Sequence, residues 1–243
     1  MPTLLVLGAT SGIAKATAYQ FAKAGWDLQL AGRDIKSVSS VADELSKLTE
    51  CNTSCFKFDA MKIETHIDFV NHLPKLPDAV LISVGLLGNQ EEAKHNPNGA
   101  LTILQVNFVG IIPIISIIAD KFEERGYGTI IGISSVAGDR GRSSNYIYGS
   151  AKAGFTAYLS GLRQRLFKCG VRVMTIKPGY VATKMIAHKK TSRILTAQPD
   201  EVGYAIYKAY TNKKDIVYVR WFWRYILFFA KIIPECIFKR IPM

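Results

Sequence analysis

A chain of 243 residues with 49% hydrophobic content can bury one large core, which excludes a disordered chain and a small disulfide- or metal-stapled scaffold. Four scattered cysteines, Cys51, Cys55, Cys169 and Cys236, make no metal-ligand pattern and read as free thiols of a reducing cytosol. The net charge of +12 asks for an anionic partner, but the basic residues are spread and no nucleic-acid module carries them, so nucleic acid is not the expected partner.

The chain opens with an apolar run at 3–8 and lacks the basic and cleavable segments of a signal peptide. Gly8-Ala9-Thr10-Ser11-Gly12-Ile13-Ala14 follows, then an amphipathic pattern through Ile13, Ala16, Tyr19, Phe21 and Ala24 that stops at Gly25. This predicts strand, glycine turn, helix. Leu28-Gln29-Leu30-Ala31 reads as a second strand ending at Gly32-Arg33-Asp34, residues 37–48 as a helix, and Cys55-Phe56-Lys57-Phe58 as a strand ending at Asp59. A helix over about 62–72, a strand over 78–84 ended by Gly85, and a long helical region near 99–125 come next. The strand at 128–134, a helix running from Tyr148 to about Lys168 and a buried strand at 171–177 complete an alternating order. Such alternation implies one α/β domain, a Rossmann-like doubly wound parallel sheet with right-handed crossovers, over residues 1–219.

The first strand-turn-helix has the makeup of a dinucleotide site. Gly8 permits a tight turn, Gly12 admits the pyrophosphate, and the helix start offers N–H groups to phosphate. The spacing is Gly-x-x-x-Gly-x-Ala, with Ala14 at the close-packing position. At the end of the second strand, where an NAD site places a carboxylate on the ribose, stands Gly32-Arg33. A guanidinium matches a 2′-phosphate bidentately, which favours NADP(H). Asp34 is adjacent, and a carboxylate turned inward there would favour NAD(H) instead.

Tyr148 and Lys152 are four residues apart, so a helix puts both on one face. A nearby ammonium draws a phenol down from its usual value near ~10 toward neutral pH, which suits proton exchange with an alcohol or ketone oxygen. Tyr146 has Ser150, not a lysine, at the matching position.

Together these residues resemble the short-chain dehydrogenase/reductase family over roughly residues 3–218. Gly8, Thr10, Ser11, Gly12 and Ile13 are similar to its cofactor turn. The resemblance implies Asp59 on the adenine amino group, Asn107 holding a water that links Lys152 to solvent, and Ser135 on the substrate carbonyl. It also implies Tyr148 as proton donor, Lys152 on the nicotinamide ribose, and Pro178, Gly179 and Thr183 around the nicotinamide. Ser135 precedes Tyr148 by the family's usual thirteen residues, and strand alternation turns Ser134 to the other face. Ile82-Ser83-Val84-Gly85 stands where the family commonly has Asn-Asn-Ala-Gly, with Gly85 kept as a cofactor contact. The implied enzyme transfers hydride between NADPH and a ketone or secondary alcohol, and homo-oligomers are usual. No metal is implied.

The loop Gly85-Leu86-Leu87-Gly88-Asn89-Gln90, the run Ser134 to Arg140 and the tail more narrowly resemble decaprenylphosphoryl-2-keto-pentose reductases, which implies a keto sugar on a polyprenyl phosphate. Residues 180–198 match a substrate lid, where Lys184, Lys189, Lys190 and Arg193 are either phosphate ligands or a solvated basic loop. The amphipathic tail 220–243 mixes Trp221, Phe222, Trp223, Tyr225, Phe228, Phe229 and Phe238 with Arg220, Arg224, Lys231, Lys239 and Arg240. Its longest uncharged run, 225–230, is far short of the ~20 residues that span a bilayer. It suits an anionic membrane surface, placing a cytoplasmic enzyme on the inner face, or else packing on its own body or a second subunit. A reductase of a small soluble ketone and a non-catalytic nucleotide-sensing scaffold are the competing readings.

Overall fold

Strand β1, Thr3–Leu7, is buried along its whole length, and alternation divides its side chains between two cores. Leu4 and Val6 face one layer of helices; Leu5 and Leu7 face the other. The computed structural model describes residues 1–187 and 192–241. Helix α1 spans Gly12–Lys23, β2 Asp27–Gly32, α2 Ile35–Thr49, β3 Thr53–Lys57, α3 His66–Asn71 and β4 Ala79–Ile82. Then come α4 Gln90–Ala93, α5 Pro97–Asn107, α6 Ile112–Arg125, β5 Gly128–Ile133, α7 Tyr146–Leu166 and β6 Val171–Lys177. The short strands β7 Tyr180–Val181 and β8 Thr196–Ala197 pair with each other, and α8 Pro199–Thr211, β9 Ile216–Tyr218, α9 Phe222–Ile232 and α10 Glu235–Phe238 follow.

Seven strands form one parallel sheet in the order β3-β2-β1-β4-β5-β6-β9. The order reverses between β1 and β4, and that switch point opens a crevice at the carboxyl ends of the strands. On one face, Phe21 of α1, Val38 of α2 and Val202 and Ile206 of α8 pack on Leu28 and Leu30. On the other, Ile114, Ile118 and Phe122 of α6 and Phe155 of α7 pack on Val80 and Ile82. The doubly wound reading therefore holds for the sheet and both helix layers.

Local chemistry sets the ends of the helices. Ser11 caps α1, accepting from the Ala14 N–H at 3.1 Å. Asn96 caps α5 with Pro97 at its first position, and Gly126 ends α6 in the left-handed region.

Several elements differ from the sequence reading. The helical region near 99–125 is two helices, because Asn107 turns its side chain onto main-chain groups and Phe108 leaves helical geometry. The whole stretch Pro97–Arg125 is long and apolar enough to cross a membrane, but α6 lies in the second core. The helix at 62–72 is a 3-10 turn, Ile63–Thr65, followed by α3. Helix α7 starts at Tyr146, and β9 adds an edge strand. The tail folds as α9 and α10, with Trp223 and Leu227 buried against Val136 beside Tyr180.

Candidate active site

Ser135, Tyr148 and Lys152 meet near the ends of β4, β5 and β6. Ser135 follows β5 directly; its Oγ accepts from the Ala137 N–H at 3.1 Å and shares a hydrogen bond with the Tyr148 hydroxyl. Ser134 points away, its hydroxyl donating to the Lys152 carbonyl oxygen at 3.0 Å and lying 2.6 Å from Thr156 Oγ1. Alternation thus separates the two serines as the strand reading requires. Lys152 lies one turn after Tyr148 on α7, 3% exposed, and its Nζ donates to the Ile133 carbonyl at 3.0 Å.

The electrostatics of this pair run opposite to expectation. The i,i+4 spacing predicts that the Lys152 ammonium draws the Tyr148 phenol down. Instead, burial pushes Tyr148 up to about 12, with the Ser135 hydrogen bond pulling weakly the other way. Burial also brings Lys152 down to about 8. The physical reason is that neither charge is solvated and the ammonium is held on a main-chain carbonyl, 5.8 Å from the centre of the tyrosine ring. Tyr148 is thereby kept as a protonated hydroxyl, the form a proton donor needs.

Ser135, Tyr148 and Lys152 line a cleft of about 450 Å³ together with Gly12, Ile13, Pro178, Gly179 and Thr183. Thr10, Ser11 and Gly85 line this cleft and also a second recess of about 170 Å³, which holds Gly8, Arg33 and Asp59. The two form one groove across the switch point. Gly8 has φ +86°, and a Cβ there would stand 2.9 Å from the Ser83 main chain, so glycine is required. Gly12 and Ile13, whose N–H groups lie beyond reach of intrahelical carbonyls, line this groove. Ser83, the departure from the usual strand-end asparagine, has its hydroxyl 2.8 Å from that of Ser11 and so ties β4 to the glycine turn.

At the far end, Asp34 does not turn inward. Its carboxylate caps α2, accepting from the Lys36 and Ser37 N–H groups at 3.2 and 3.3 Å. Arg33 remains as the cation of the recess. Asp59 accepts from the Met61 N–H at 3.0 Å. A dinucleotide fits what is present: a long groove, helix N–H groups at its middle, a cation and a carboxylate at one end, and a hydroxyl pair at the other.

The sequence model of the family described as "short chain dehydrogenase" matches residues 2–193. The chain belongs to the short-chain dehydrogenase family. This dehydrogenase is similar to an uncharacterized oxidoreductase of Streptomyces coelicolor, 32% identical over 243 residues, which cover 98% of this chain and 95% of that one. It is 28% identical over 232 residues to an NADP-dependent 3-hydroxy acid dehydrogenase of Schizosaccharomyces pombe, covering 88% and 89% of the two chains. Its fold superposes on a short-chain dehydrogenase from Sphingobium yanoikuyae in complex with NADPH, with TM-score 0.83, 20% identity and coverage of 100% and 97%. The dehydrogenase is thus an NAD(P)-dependent oxidoreductase with a Rossmann-like fold.

Asn107 stands behind the cleft of the dehydrogenase, not on its wall. It is 0% exposed, donates to the carbonyls of Leu86 at 2.6 Å and Ile103 at 2.8 Å, and accepts from the Leu86 N–H at 3.2 Å. It therefore clamps the loop after β4 onto α5. Between β7 and β8, Lys184 lines the cleft and Arg193 is exposed. His188, Lys189 and Lys190 lie outside the described residues.

Sequence reasoning missed the wall supplied by the tail. Trp223 lines the cleft, and a Cβ at Gly179 would meet its indole nitrogen at 2.2 Å, so only glycine lets the indole in. Tryptophan spaced four residues from Leu227 was the available signal, since both share the buried stripe of α9. The stripe is locked by Asp139, whose buried carboxylate takes Lys177 Nζ at 2.6 Å, Tyr218 hydroxyl at 2.8 Å and Lys231 Nζ at 3.0 Å. Burial works to raise the Asp139 pKa, but these three donors outweigh it and hold the carboxyl below the usual range. Arg140 adds bonds to the Lys231 and Ile233 carbonyls and to Glu235. Arg220 joins the base of the tail to the Arg193 carbonyl and to Glu201.

Proposed function

We propose that this dehydrogenase uses NADPH to reduce the ketone of a sugar-like substrate to a secondary alcohol. The observation that carries the reading is the meeting of Ser135, Tyr148 and Lys152 at the end of a groove whose other end holds Arg33. When bound, the nicotinamide supplies the hydride. Ser135 holds the carbonyl oxygen, and Tyr148 gives its proton to that oxygen as the carbon accepts the hydride. Lys152 then faces a phenolate, whose charge its ammonium stabilises before a proton returns by way of Lys152 and a water near Asn107. Lys152 also holds the nicotinamide ribose, Pro178, Gly179 and Thr183 flank the ring, and Asp59 takes the adenine. NADP(H) is favoured over NAD(H) because Asp34 is committed to the helix cap and Arg33 offers a cation in the recess.

The cleft walls support a sugar carried on a lipid phosphate. Trp223 and Tyr180 line the cleft with aromatic rings and Lys184 with a cation. The outer face of α9 supports contact with an anionic membrane on the cytoplasmic side: Trp221 is 74% and Phe229 60% exposed, with Arg224 beside them. The burial of Trp223 and Leu227 against Val136 favours a second reading, a soluble ketone with the tail packed on its own body.

The test of the reading is Tyr148→Phe. Turnover with NADPH falls by at least about 10²-fold while NADPH still binds. Retained turnover removes Tyr148 as proton donor.

A further inference from the structure

Two arginines, Arg140 and Arg142, stand in the stretch that leads from β5 into α7. Arg140 is engaged by the tail, through the Lys231 and Ile233 carbonyls and Glu235. Arg142 makes no ion pair, side-chain hydrogen bond or ring contact among the described residues. Its main-chain carbonyl accepts the Asn145 N–H at 3.1 Å, closing the turn before α7. Gly141, Ser143 and Ser144 around it are exposed, whereas Arg142 is half-buried and lines the cleft. Arginine can lay its stem along a wall and keep its head in water. None of the Arg142 nitrogens is shut off from solvent, in contrast to Arg172 Nη2, so the guanidinium is open to a ligand.

The charge of the cleft has one sign. Among the described residues no aspartate or glutamate lines it, while Lys15, Arg142, Lys152 and Lys184 do. Lys15 is paired with Glu44 at 2.9 Å, and Lys152 is held on the Ile133 carbonyl. Arg142 and Lys184 have no acidic partner among the described residues. The acids closest to hand are taken: Asp139 by Lys177, Tyr218 and Lys231, and Glu235 by Arg140. A concave site lined by one sign of charge concentrates ligands of the other. Nor does Arg142 belong to the dinucleotide end. It comes from the same β5–α7 segment as Ser135 and Tyr148, whereas the glycine turn and Arg33 follow β1 and β2.

We propose that the Arg142 guanidinium binds an oxyanion group of the ketone substrate, a carboxylate or a phosphate, so that the enzyme selects charged ketones over neutral ones of similar shape. The inference rests on the ketone-reductase reading of this cleft and adds the charge that its substrate carries. A planar guanidinium meets either anion through two parallel hydrogen bonds, which orient the substrate as well as hold it. Lys184, exposed on the wall after Thr183, adds positive charge without that geometry. An ester or a free alcohol in place of the anion leaves both cations unpaired. The anion is remote from the reacting carbonyl, so its contact is the same before and during hydride transfer and acts on KM more than on kcat.

The test compares charged ketones with neutral partners, using NADPH: 4-oxopentanoate against methyl 4-oxopentanoate, 5-oxohexanoate against methyl 5-oxohexanoate, and dihydroxyacetone phosphate against dihydroxyacetone. The wild-type enzyme favours the charged member of at least one pair by about 10-fold or more in kcat/KM, chiefly through KM. A preference in the oxoacid pairs makes the ligand a carboxylate and one in the dihydroxyacetone pair makes it a phosphate; either supports the inference. Arg142→Met, which keeps the apolar stem and removes the charge, brings the ratio close to one, and Arg142→Lys retains part of it. If Arg142→Met fails to give a folded melt, Arg142→Gln is measured in its place and shows the same collapse. Smaller wild-type ratios in all three pairs, or a ratio unaltered by Arg142→Met or Arg142→Gln, overturn the inference and leave the reductase reading standing. No turnover of any of the six ketones overturns the reductase reading and this inference with it.

Discussion

Lys152 holds its ammonium in a place that disfavours it. Its ordinary value of 10.5 falls to about 8 on burial. Below pH 8 both the folded and the unfolded chain carry the proton, and the folded chain bears the full penalty. Between 8 and 10.5 the folded chain has released the proton that the unfolded chain keeps, so stability rises with pH through that window. The penalty is on the order of 3 kcal/mol. Lys152→Met should therefore raise the melting temperature by several degrees at pH 7 and by clearly less at pH 9.5, while turnover is lost. Equal gains at the two pH values would show that the ammonium is not strained. At the other end of the groove, Arg33→Ala should weaken NADPH by about 10- to 100-fold and NADH much less, read by titrating each dinucleotide. Equal losses would remove the 2′-phosphate contact. The spacing of Ser135, Tyr148 and Lys152 was legible in the sequence because one helix and one strand end fix it. The direction of the Tyr148 shift was not, because it depends on burial that no spacing encodes.

Among the elements, α9 is held more firmly than its composition implies. Asp139 meets two lysines and a tyrosine from β6, β9 and α9, and the Lys177 pair is buried on both sides. Asp139→Asn leaves two ammonium groups facing each other with no counter-charge. The expected loss is about 3 kcal/mol, measured by denaturant melts, with KM rising because α9 carries Trp223 away from the cleft. An unchanged KM would separate the tail from the substrate site. The strands and helices of the sheet were legible from apolar periodicity and glycine punctuation, but the strand order that creates the switch point was not. The break at Phe108 was not, since 99–125 is continuously apolar and the interruption comes from the contacts of Asn107. Nor was β9, whose three residues gain strand geometry only by pairing with β6.

For the whole molecule, the net charge of +12 has one local expression with a stated consequence. The last 24 residues carry five basic side chains and one acidic one, Glu235, which is paired with Arg140. The outer face of α9 is aromatic with cations at its flank. A two-fold contact of this face with its own copy would set like charges against each other, whereas anionic lipid meets both features. Sedimentation with anionic and neutral vesicles should show binding to the anionic ones alone, weakened by salt and lost on truncation after Val219. No binding by the intact chain, together with a dimer by light scattering, would instead assign the face to a second subunit. Composition made the charge legible, but only the folded tail shows which aromatics are left bare.

The family match ends at residue 193, and Trp223 lies thirty residues further on. The matched part carries the groove that fits a dinucleotide. One wall of the cleft, Trp223, is contributed by a segment outside that match. Two members of this family with the same cofactor residues and different tails would thus inherit a common reaction and part company over what they react with. A transplanted α9, moved with its Asp139 and Gly179 partners, would be expected to carry its donor's choice of substrate along with it.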